Sequence, residues 1–123
     1  MFEAEVDETK NLLKIHFSQH VDAAEAQSYA NKIQLLLAEV KPGFTLLTDL
    51  TGLEAMDLAC QPHIDQAMDR YSEAGLGMVV RVIPDPSKDI GLSIMSFFHY
   101  HRRVRTATCE SLEEALKILA SES

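Results

Sequence analysis

Residues 44–50 read Phe-Thr-Leu-Leu-Thr-Asp-Leu, a short and nearly continuous apolar run. A run of this length marks a strand buried on both faces, as in a sheet with helices packed against it. Upstream, Asp22 and Glu25 have the spacing of a helix start. Ala26, Tyr29, Ala30, Ile33, Leu37 and Val40 follow at steps of three and four, which predicts a long amphipathic helix ended by Lys41, Pro42 and Gly43. Before that helix, Phe2, Ala4 and Val6 alternate with Glu3, Glu5 and Asp7, and Leu13, Ile15 and Phe17 share one face of a second segment. Turn residues at 7–11 join the two into a hairpin. Downstream, Pro62 opens a helix with Ile64, Ala67, Met68 and Tyr71 as its buried stripe, and Gly75 and Gly77 stop it.

Residues 77–83 (GMVVRVI) repeat the buried-strand pattern, and Pro84, Asp85 and Pro86 break it. A helix to about residue 102 follows, with Ile90, Ile94, Phe97 and Phe98 on one face, then a short strand at 104–108. Ser111 with Glu114 forms a capping box for a closing helix on Leu112, Ala115, Leu116 and Leu119. The order β-β-α-β-α-β-α-β-α predicts an α/β fold. It is a mixed, mostly parallel five-stranded sheet with about four helices, in a single domain over residues 1–123.

Composition narrows the function classes. The 123 residues carry 11 basic and 19 acidic side chains, a formal charge of −8, which lacks the electrostatic footprint of a nucleic-acid binder. No stretch approaches a membrane span, and the acidic start has no signal-peptide pattern, so a cytoplasmic setting is expected. Two cysteines, Cys60 and Cys109, do not make a disulfide framework. The charge is unevenly placed. Residues 1–85 hold 6 basic and 14 acidic side chains, residues 86–109 hold 4 and 1, and residues 110–123 hold 1 and 4. The only basic cluster lies at 99–105.

The segment from the first buried strand onward reads Asp49-Leu50-Thr51-Gly52-Leu53-Glu54-Ala55-Met56-Asp57-Leu58-Ala59-Cys60. In position and pattern it resembles the signature of STAS domains, the anti-sigma factor antagonist (SpoIIAA-like) family. That signature runs roughly Asp-Phe-Ser-x-Val-x-x-Met-Asp-Ser-Ser-Gly, between the third strand and the second helix. Asp49, Thr51 (conservatively), Leu53, Met56 and Asp57 match without a gap, and the element order fits across nearly the whole chain. Family members switched by phosphorylation carry the acceptor hydroxyl immediately after the second Asp. Here that position is Leu58, followed by Ala59 and Cys60 where the family has a small or hydroxyl residue and then Gly. Leucine offers no oxygen nucleophile. Thr51, the nearest hydroxyl, aligns with a structural position. The resemblance therefore implies a divergent, non-enzymatic interaction or ligand-binding module that is not switched by phosphorylation at the usual site.

Each candidate residue also has a plainer reading. Asp49 and Asp57 stand at the C-terminal edge of a mostly parallel sheet, where such folds bind ligands. Paired carboxylates can do acid–base work or hold a metal, but no histidine stands beside them in sequence, so capping of the following turn and helix is the expected role. Cys60, just before the second helix, could be activated by a helix N-terminus, as in a thiol-dependent enzyme or redox sensor, but a single Cys at an element start is expected to be a small buried hydrophobe. His16 and His20 are expected at a strand end, His99 and His101 diverge on a helix, and His63 is alone, so neither a metal nor another cofactor is expected. No Gly-rich phosphate loop follows either buried strand.

On the helix before residue 102, Leu92 and Met95 lie off the core face together with His99 and Arg102, bordered by Arg103 and Arg105. That combination suits an apolar or amphiphilic ligand, a peripheral membrane contact or a homodimer interface. The sequence thus carries three functional expectations. These are a regulatory module recognising a protein partner or its own copy, a binder of an apolar ligand or membrane surface, and a thiol enzyme built on Cys60.

Overall fold

The computed structural model describes residues 1–83 and 104–122. The chain opens with the expected hairpin: β1 (Phe2–Asp7) pairs antiparallel with β2 (Leu12–Val21), Phe2 opposite Phe17 and Val6 opposite Leu13. Asn11 takes the left-handed conformation (φ 52°) that asparagine tolerates in tight turns. Its side chain accepts from Lys41 N at 2.8 Å and donates to Lys41 O at 3.1 Å, tying the hairpin to the segment that leads into β3 (Thr45–Met56).

Between β2 and β3 lies α1 (Ala23–Leu36), capped as its sequence predicts: Asp22 Oδ1 accepts from Glu25 N at 2.9 Å. The apolar spacing predicts a helix as far as Val40. The chain tightens instead into a 3₁₀ turn at Leu37–Glu39, a frequent ending for an α-helix. Leu37 and Val40 still pack against the core, so the apolar spacing is honoured while the helix type changes. After β3 a 3₁₀ turn (Leu58–Cys60) leads into α2 (Gln61–Glu73), with Pro62 in its first turn. Then come β4 (Met78–Val82), β5 (Arg105–Cys109) and α3 (Leu112–Glu122). Ser111 Oγ accepts from Glu114 N at 3.2 Å, while the Glu114 carboxylate receives Glu110 N at 3.4 Å. The described residues thus hold three α-helices rather than about four. The expected helix before residue 102 lies outside them.

The sheet order is β1-β2-β3-β4-β5, antiparallel at the hairpin and parallel elsewhere. Because side chains alternate along a strand, each face builds its own core. Leu13, Ile15, Phe17, Leu46, Leu50 and Val79 face α1 and α2, where Ala26, Tyr29, Ile33, Ile64, Ala67 and Tyr71 close over them. Leu12, Leu47, Met78, Val80, Val82 and Cys109 face Ala115, Ile118 and Leu119 of α3. The buried hydroxyls of Tyr29 and Tyr71 hydrogen-bond to each other and join α1 to α2. No helix among the described residues is long and apolar enough to cross a membrane.

Candidate functional site

The strand at 44–50 continues further than its apolar run. β3 extends through Thr51-Gly52-Leu53-Glu54-Ala55-Met56, beyond the residue 50 at which the apolar run ends. It remains a strand because β2 also runs on, through Ser18-Gln19-His20-Val21, and pairs with it. The pairing is irregular: His16 lies opposite Asp49 and His20 opposite Ala55, so four steps on β2 match six on β3. Gln19 adopts φ 59° within this irregular stretch.

This register overturns the expectation that no histidine accompanies the two carboxylates. His16 Nδ1 lies 3.8 Å from Asp49 Oδ2, and His20 Nε2 donates to Asp57 Oδ1 at 2.6 Å. The sequence hides both contacts because they depend on which residues of two parallel strands fall side by side. The two pairs differ in character. Asp49 is 8% exposed, and its Oδ1 accepts from Thr51 N at 3.0 Å and Thr51 Oγ1 at 2.7 Å. It holds its own strand, close to the capping role expected of it, and the Thr51 hydroxyl proton is committed to it. Asp49 also lines a shallow groove of about 380 Å³ with Glu3, Lys14, His16, Leu47 and Leu112.

Asp57 does something else. It starts the 3₁₀ turn, yet its carboxylate caps no backbone amide and instead receives His20. Both side chains are partly in solvent, at 57% and 46% exposed. The hydrogen bond to Asp57 and its negative charge raise the His20 pKa above the ordinary 6.5, with a smaller push from Asp22. The folded protein therefore holds this proton more tightly than the unfolded chain. The resulting stabilisation is fully present below about pH 6.5 and disappears as pH rises through the folded-state value. Urea denaturation of wild type and His20→Gln at a series of pH values checks this: wild type should lose stability relative to the variant between pH 6 and pH 9.

Cys60 is fully buried among the α1–α2 core residues and its Sγ donates to Val21 O at 3.4 Å. Burial pushes the thiol pKa up, with the Asp57 charge adding to the rise. The turn is 3₁₀ at this point and Cys60 points into the core, the position of a small buried hydrophobe rather than of an exposed thiolate. Cys109 is also buried and free, but it belongs to the α3 side of the sheet, so the two thiols do not face one another. The described residues contain no group of three or more His, Cys, Asp or Glu side chains able to hold a metal.

Leu58 stands apart from this buried neighbour. It is 81% exposed on the turn, immediately after Asp57. Of the apolar and basic surface expected further along, Leu92, Met95, His99, Arg102 and Arg103 lie outside the described residues, and Arg105 is exposed at the start of β5.

The architecture matches the STAS, or SpoIIAA-like, fold of solved structures across nearly the whole chain. No protein-family model matches the sequence, and no curated protein matches it. The anti-sigma factor antagonist SpoIIAA in its unphosphorylated form superposes with a TM-score of 0.66 at 16% identity, covering 100% of both chains. An uncharacterized protein of the DUF3478 family with a SpoIIAA-like fold, from Shewanella loihica PV-4, gives 0.70 at 12% identity over 96% of this chain and 93% of that one. An anti-sigma-factor antagonist (STAS) domain protein from Planctomyces limnophilus gives 0.61 at 15% over 97% and 98%. At these identities the likeness is one of fold.

Proposed function

We propose that this protein is a non-enzymatic regulatory interaction module that recognises a protein partner through the turn between β3 and α2. One observation carries the reading. Leu58, at the position where the STAS signature has its acceptor hydroxyl, is 81% exposed on a turn whose flanking groups are tied down. An exposed leucine on an anchored turn suits an apolar contact at the centre of an interface, and it leaves no oxygen there for a phosphoryl group. The fold shared with anti-sigma factor antagonists supports the same reading. Against a thiol enzyme stands the burial of Cys60, and against an acid–base pair the engagement of Asp49 by Thr51.

The test begins with wild-type protein as bait in an extract of its own source. Any retained protein is then purified and titrated against wild type and Leu58→Asp. The variant should bind at least about tenfold more weakly, the loss of one buried apolar anchor, with a stability within about 0.5 kcal/mol of wild type. Equal affinity for the two would overturn the reading. A second arm uses ATP and a kinase directed at STAS domains. Wild type should stay unlabelled while Leu58→Ser acquires one phosphate, and labelling of wild type at Thr51 would count against the reading.

A further inference from the structure

The Leu58 turn is anchored to the end of β2 at three points. Asp57 N donates to Val21 O at 3.1 Å, the Cys60 thiol donates to the same carbonyl at 3.4 Å, and His20 Nε2 donates to Asp57 Oδ1 at 2.6 Å. The first two sit on the backbone of Val21 and involve an amide and a buried thiol, neither of which changes protonation near neutrality. The third does. With His20 protonated, the contact is a charge-assisted hydrogen bond, roughly twice as strong as a bond between neutral groups. With His20 neutral, only the Nε2–H tautomer keeps the contact, and the attraction between opposite charges is gone.

The surroundings favour the charged form. Among the described residues, the charged groups acting on His20 are Asp57 from the turn, Asp22 from the start of α1 and the Met1 amine from the β1 side. Asp22 is held in place by Glu25 N, and the Met1 amine, the smallest of these influences and the one that opposes the proton, is paired with Glu25 at 2.8 Å. Leu58 and Ala59, both exposed, sit between the anchored Asp57 and Cys60, so tightening or loosening Asp57 is felt there first.

We propose that His20 and Asp57 form a proton-operated latch on the Leu58 turn. Protonated His20 clamps the turn to the end of β2, and release of the proton loosens it, so the presentation of Leu58 is set by pH rather than by phosphorylation. The purpose of the latch rests on the reading of Leu58 as a contact residue, but its operation does not.

NMR titration of the free protein from pH 5 to 9, following the His20 ring and the amides of Leu58, Ala59 and Cys60, tests it without a partner. In wild type the His20 midpoint should lie above 6.5, and the three amides should shift with that same midpoint. In Asp57→Asn the midpoint should return close to 6.5 and the amide response should be lost. An ordinary His20 midpoint in wild type, amides that do not follow it, or a response that survives in Asp57→Asn would each overturn the latch. If the latch titrates as described while Leu58→Asp binds its partner normally, the latch stands and the contact reading falls.

Discussion

Replacement of Phe17 by alanine is expected to lower stability by about 3–5 kcal/mol, with an apparent melting temperature lower by roughly 10–20 °C. Phe17 is fully buried, and among the described residues the rings of Phe2 and Tyr29 pack against it. Its centroid lies 4.9 Å from Tyr29 and 6.4 Å from Phe2, tilted or edge-on in both cases. Tyr29 continues the chain of contacts through its hydroxyl to Tyr71, so the cavity would open where β1, β2, α1 and α2 converge. Phe17 also sits at the first register shift of β2, between His16 and Ser18, from which the strand runs on to deliver His20 to Asp57. Phe17→Leu, which keeps most of the volume, should cost well under half as much. Chemical denaturation of both variants checks the ratio, and comparable losses would mean that shape and ring contacts matter more here than filled volume.

The contrast between Phe17 and His20 also explains what the sequence discloses. Where one side chain period is maintained, as in Phe2, Ala4 and Val6 or in Leu13, Ile15 and Phe17, burial follows alternation and the strand is legible from its own residues. The same holds for the Asp22 cap, whose partner Glu25 N is three residues away. Beyond Phe17 the code changes. Ser18, Gln19 and His20 have no apolar rhythm, and the mixed stretch of Thr51 to Ala55 offers Leu53 as its one large apolar residue. Both stretches are strand because each pairs with the other, which is tertiary information. The candidate site sits in this part of the sheet. Asp57 and Leu58 are visible from the motif, but the histidine that holds Asp57 is 37 residues away and arrives through two register shifts. Cys60 is legible as a small apolar residue before a helix, but the carbonyl that its thiol meets, Val21 O, lies 39 residues away on another element.

The site also redistributes the meaning of the charge pattern. A net charge of −8 would ordinarily make each further carboxylate an unwelcome neighbour. At the end of β2, Asp57 and, more weakly, Asp22 instead act on one histidine and favour its proton, so part of the acidic excess has a local electrostatic effect. Asp49, eight positions before Asp57 on the same segment, commits one oxygen to Thr51 within its own strand. Two carboxylates of one motif thus have different tasks, and solvent exposure separates them.

Gly77→Ala is expected to cost about 3 kcal/mol, at the upper end of what overpacking does, although alanine adds only one methyl group. The added Cβ would stand 2.9 Å from Gly43 O and 3.2 Å from the Gly43 C and Cα atoms. All three are backbone atoms, and they cannot swing aside as a side chain would. The same two segments are joined by hydrogen bonds, Gly43 N to Gly75 O at 2.7 Å and Gly77 N to Phe44 O at 2.9 Å, so separating them weakens the entry to both β3 and β4. Gly43→Ala is the internal comparison. Gly43 has φ +89°, but a methyl group added there would meet only open space, so its cost is that of a left-handed backbone alone, about 1–2 kcal/mol. Equilibrium urea unfolding of the two variants separates contact from conformation. If Gly43→Ala proves the more damaging, the close approach at Gly77 relaxes easily, and left-handed geometry is the dominant constraint on this pair of turns.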